Sequence, residues 1–87
     1  MKKTTVKRLV YHSPASGEVF YGGEEYDGHL TDENILGAIH EIGKTVWYGN
    51  NLWTIRGNDL IYRITVEEFT QYTKSRFDLF LDAIRRL

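Results

Sequence analysis

Between Lys44 and Thr65 the chain reads KTVWYGNNLWTIRGNDLIYRIT, three short runs of β-branched and aromatic residues separated by two turn signals. That pattern constrains the fold more than any other stretch, because it specifies a three-stranded antiparallel meander. Asn50-Asn51 suits a two-residue hairpin loop, since asparagine tolerates the positive φ of primed turns, and Gly57-Asn58 serves the same purpose after Arg56. Two-residue loops would set Tyr48 opposite Trp53, Val46 opposite Ile55, Ile55 opposite Leu60 and Trp53 opposite Tyr62. A three-residue second loop would instead put Trp53 opposite Arg63 and Thr54 opposite Tyr62, mixing polar and apolar residues on both faces.

Under the two-residue register, Val46, Tyr48, Trp53, Ile55, Leu60, Tyr62 and Ile64 share the face expected to lie under helices. The other face carries Thr45, Trp47, Leu52, Thr54, Arg56, Ile61, Arg63 and Thr65. Trp47, Leu52 and Ile61 flanked by Arg56 and Arg63 have the composition of a contact surface. The competing expectation is a core face covered by the N-terminal hairpin or by a second copy of the chain.

Thr4 to His12 reads as a strand, Ser13 to Gly17 as a turn and Glu18 to Tyr21 as a returning strand, with Gly22 to Leu30 irregular. Thr31 can cap a helix with Asp32 and Glu33 in its first turn. Ile35, Ala38, Ile39 and Ile42 would form its apolar stripe and Gly43 would end it. Thr65-Val66-Glu67-Glu68 has the form of a capping box, and Val66, Phe69, Thr73, Phe77, Phe80, Ile84 and Leu87 recur at helical spacing. The expected fold is α+β: an antiparallel sheet of about five strands in the order β-β-α-β-β-β-α, with two helices on one face, the C-terminal one long.

A chain of 87 residues is the size of a single domain, taken as residues 1–87, and 41% hydrophobic with 26% charged residues is a globular mix. The absence of cysteine removes disulfides, thiolate nucleophiles and cysteine zinc sites, and it suits a reducing cytoplasm. No apolar run approaches the roughly 20 residues of a membrane span, so no membrane partner is expected.

Charge is segregated along the chain. Residues 1–12 hold Lys2, Lys3, Lys7 and Arg8 and no acid, whereas residues 13–43 hold Glu18, Glu24, Glu25, Asp27, Asp32, Glu33 and Glu41 and no lysine or arginine. Such an acidic block either aids solubility or meets a basic partner.

Enzyme chemistry finds little support. His12, His29 and His40 lack a ligand set of metal-site quality, Tyr21-Gly22-Gly23-Glu24 lacks the ending of a phosphate loop, and no nucleophile elbow surrounds Ser13 or Ser16. No catalytic residue, metal or cofactor is expected. The chain reads as a non-enzymatic protein-binding module, an inhibitor or adaptor. Its candidate contacts are Glu24, Glu25, Asp27, Asp32 and Glu33, together with Trp47, Leu52, Arg56, Ile61 and Arg63. The expected partner is a protein with a basic surface, and homodimerisation is a further option. A phage or mobile-element protein acting against a nucleic-acid-handling defence complex, such as an anti-CRISPR protein, would fit. The alternative is a small-ligand or single-stranded nucleic-acid binder using Trp47, Arg56 and Arg63, disfavoured by a sequence pI near 6.3.

Overall fold

A computed structural model describes residues 2–73. Its elements are β1 (Lys2–His12), β2 (Val19–Asp27), α1 (Asp32–Ile42), β3 (Thr45–Tyr48), β4 (Asn51–Arg56) and β5 (Asp59–Thr73). The strands form one five-stranded sheet in the order β2-β1-β5-β4-β3, with every neighbouring pair antiparallel.

The expected C-terminal helix does not begin at Thr65. Thr65 to Thr73 instead continues β5, which pairs with β1 without interruption from His12↔Arg63 to Lys2↔Thr73. Thr65, Val66, Phe69, Thr70, Tyr72 and Thr73 are β-branched or aromatic and favour a pleated surface. The acids read as helix-start charges stand opposite bases, Glu67 across from Arg8 and Glu68 across from Lys7. Thr65 caps nothing; its hydroxyl lies 2.8 Å from Nε2 of His12. Among the described residues, two helices over one face is thus corrected to a five-stranded antiparallel sheet carrying one short helix. The remainder of the expected helix, with Phe77, Phe80 and Ile84, lies outside the described residues.

Both hairpins of the meander form, with one shifted loop. The first turns at Gly49-Asn50, where both residues have positive φ (58° and 64°), as a type I′ turn requires. Glycine at the first position carries no Cβ penalty, so the loop sits one residue earlier than Asn50-Asn51 and pairs Val46 with Trp53, Trp47 with Leu52 and Tyr48 with Asn51. A one-residue shift of a loop moves the pairing by two, which preserves the faces. The second turn is Gly57-Asn58 as expected, with Ile55 opposite Leu60.

Beyond Ile55 a bulge sets two residues of β5, Ile61 and Tyr62, against Thr54, whose hydroxyl accepts the Tyr62 N–H at 3.0 Å. Trp53 therefore faces Arg63 rather than Tyr62, and Leu52 faces Ile64. One extra residue exchanges the two faces of everything past it, which brings Ile64 to the side of Leu52.

That exchange decides where the core lies. Trp47 and Trp53 stand on opposite faces, as expected, but α1 covers the Trp47 and Leu52 side. Leu9, Ile35, Leu52 and Ile64 form the core cluster, with Tyr11, Tyr26, Leu36, Ile39 and Val66 packed against it. Val46, Trp53, Ile55 and Leu60 occupy the face away from the helix.

Thr31 caps α1 by accepting the Asn34 N–H at 3.1 Å, and the Gly43 N–H closes its end on the Ile39 carbonyl at 3.0 Å. The buried stripe is Ile35 with Leu36 and Ile39; Ile42, placed there by spacing alone, is 83% exposed. Lys7 fastens the helix to the sheet, donating to the Leu30 carbonyl at 2.7 Å and to Asp32 Oδ1 at 3.0 Å. Gly22 to Asp27, expected to be irregular, belongs to β2: the register moves from Val10↔Tyr21 to Arg8↔Glu25, and Gly22, Gly23 and Glu24 fill the irregularity opposite Leu9. No helix among the described residues is long and apolar enough to cross a membrane.

Candidate interaction surface

The charge blocks of the sequence are brought together in space. Arg8 Nη2 donates to Glu25 Oε1, which also accepts from Gln71 Nε2 at 3.1 Å. These two donors, Arg8 foremost, hold the Glu25 carboxyl below its ordinary range. Lys7 and Asp32 form another ion pair. Glu24 accepts the Tyr26 hydroxyl at 2.9 Å; burial and then this bond push Tyr26 up to about 12. Burial, followed by the charge of Glu24, also raises Tyr11. Asp27 accepts the backbone N–H of His29 at 2.9 Å, closing an Asx turn. Among the described residues, Glu33 is the acidic candidate whose side chain makes no hydrogen bond or ion pair.

The aromatic and basic candidates are divided between faces. Leu52 is fully buried and offers no contact area. Arg63 is half-buried on the far face, in a row with His12 and Trp53, while Ile61 lies in the bulge. Arg56 is exposed at the β4–β5 turn opposite Asp59. Trp47 and Arg63 therefore do not share a surface on which a base could stack.

Trp47 does line a groove with two acidic candidates. A groove of about 690 Å³ runs between the first turn of α1 and the β3–β4 turn, lined by Asp32, Glu33, Leu36, Trp47, Gly49 and Asn50. Trp47 remains 46% exposed there. Behind it stands His40, with ring centroids 5.9 Å apart, itself positioned by a 2.9 Å hydrogen bond between Nδ1 and Thr45 Oγ1. Short sequence separations build this wall: edge strand β3 follows the helix after Gly43 and Lys44, so Trp47 comes back beside the helix it has just left.

Other features were not legible as site candidates. Val19, Phe20 and Tyr21 are consecutive exposed apolar residues on edge strand β2. Their only signal in the sequence is an uncharged run, which reads equally well as core. Among the described residues, no group of three histidine, aspartate or glutamate side chains is placed to hold a metal ion. Comparison with protein-family models, curated proteins and solved structures finds no match.

Proposed function

We propose that the chain is a non-enzymatic protein-binding module whose contact site is the Trp47 groove, and that the partner presents a basic segment. The observation that carries this reading is a half-exposed tryptophan set beside Asp32 and Glu33 across an open groove. A guanidinium or ammonium over the indole face gains cation–π attraction, and Glu33, beside an Asp32 already paired with Lys7, supplies opposite charge at the rim. Tryptophan is also among the residues that most often dominate binding energy. In an inhibitor, such a site would occupy arginines and lysines that otherwise hold phosphates; an anti-defence role of that kind is one biological setting for it.

Calorimetric titration with a short arginine-rich peptide tests the site, using an alanine-for-arginine peptide as control. Wild-type protein should bind the basic peptide and not the control. Trp47→Ala and the reversal Glu33→Lys should each weaken binding at least about tenfold, with the fold intact. Equal affinity in wild type and both variants would overturn the proposal.

A further inference from the structure

We infer that the β2 edge is a self-association surface, on which a second copy of the chain adds its own β2 antiparallel, with Phe20 on the two-fold axis. This surface is separate from the Trp47 groove and stands or falls independently of it.

β2 ends the sheet, and among the described residues no strand pairs with its outer side. An edge of this kind is ordinarily protected by charge, proline or extreme shortness. Val19-Phe20-Tyr21, which runs up to the irregularity at Gly22, carries no charge and no proline, and its members are 54%, 43% and 53% exposed. The side chains are also held in place. Phe20 stacks on Tyr11, centroids 5.2 Å apart with planes 9° apart, and meets Tyr62 edge-on at 5.1 Å. Tyr21 packs edge-on against Phe69 at 5.4 Å on the opposite face. Both faces of the edge thus offer ordered aromatic surface, so little side-chain freedom is lost on association.

The occupant follows from self-complementarity. An antiparallel pair related by a two-fold axis normal to the sheet sets each residue opposite one on the same face, which places a single residue on the axis. With Tyr21 on the axis, Phe20 and Val19 would face Gly22 and Gly23, which lie in the irregularity of β2, and would lose their apolar partners. With Val19 there, Phe20 would face Glu18. With Phe20 there, Val19 meets Tyr21 both ways and Glu18 meets Gly22. Glu18 on one side and the irregularity on the other therefore select the register that joins the three apolar residues to themselves, and the product is a continuous ten-stranded sheet.

Because the chain has no cysteine, single cysteine variants report the register directly. Residues directly opposite across an antiparallel pair lie about 4.5 to 5.5 Å apart between Cα atoms. That is within disulfide reach, whereas positions offset by two residues exceed the limit of about 7 Å. Under mild oxidation Phe20→Cys should form a covalent dimer. Val19→Cys and Tyr21→Cys should form no covalent dimer alone and cross-link when mixed. Sedimentation of the wild type from micromolar to millimolar concentration should show a reversible dimer, lost in Val19→Lys, whose exposed site leaves the core untouched. A monomer throughout, a dimer that persists in Val19→Lys, or cross-linking of Val19→Cys alone would overturn the inference.

Discussion

Gly28 shows how a single residue is constrained by a strand distant in sequence. A Cβ at that position would lie 2.5 Å from the Thr5 carbonyl oxygen, which already accepts the Gly28 N–H at 3.1 Å. Gly28→Ala should therefore cost about 1 to 3 kcal/mol through displaced backbone, and Gly23→Ala, which meets nothing within 4 Å, should cost much less. Equal midpoints in urea for the two variants would contradict this close approach. Core residues follow the face assignment: Leu52→Ala should lose about 2 to 5 kcal/mol, while Ile42→Ala, at an exposed position, should be near neutral. Tyr26 makes a prediction in pH. Its folded value, raised from 10.0 to about 12, means that its contribution to stability is full below pH 10 and disappears as pH rises toward 12. A tyrosinate absorbance titration should show a group titrating near 12 that is absent in Tyr26→Phe. Glu25 behaves oppositely. Its lowered value gives stability that is present above its ordinary 4.5 and lost as pH falls through the folded value.

At the scale of elements, what could be read from the sequence was what neighbouring residues determine. Thr31 and Gly43 bound α1 because caps act within a turn, and Gly57-Asn58 turns because glycine supplies positive φ locally. Thr65-Val66-Glu67-Glu68 misleads because a capping box and a strand with acids on its exposed positions use the same letters. Only Lys7 and Arg8, far away in sequence, select between them. The β5 bulge is likewise unmarked, and it moved the core to the Leu52 side and removed Leu52 from any contact surface. The Trp47 groove was legible only as two separate lists, acids and aromatics, until the helix and β3 placed Asp32, Glu33 and Trp47 together. Proline distinguishes the two readings of the Thr65 segment. In the first turn of a helix it is tolerated, but in a paired strand it removes a ladder hydrogen bond wherever the N–H points at the neighbour. Because successive N–H groups alternate in direction, at least one of Glu67→Pro and Glu68→Pro should lose about 2 kcal/mol or more in thermal or chemical unfolding. Wild-type stability in both would favour a helix.

Across the described residues, the long β1–β5 ladder gives an elongated body with extents of 57 × 27 × 18 Å. Its two proposed contacts lie at opposite sheet edges, the Trp47 groove beside β3 and the Val19 to Tyr21 run on β2. A self-associated pair would thus leave both grooves open, and binding of a basic segment should weaken with added salt while the apolar edge contact should not. The two tryptophans permit a direct test of the binding site. Trp47 lines the groove, whereas Trp53 lies on the other face with its indole N–H donated to the Tyr48 carbonyl at 3.2 Å. In a nitrogen–proton correlation spectrum recorded during titration with an arginine-rich peptide, the Trp47 indole peak should move progressively and the Trp53 indole peak should stay in place. Movement of Trp53 with Trp47 unchanged, or no movement of either at saturating peptide, would contradict the assignment of the groove as the site of contact.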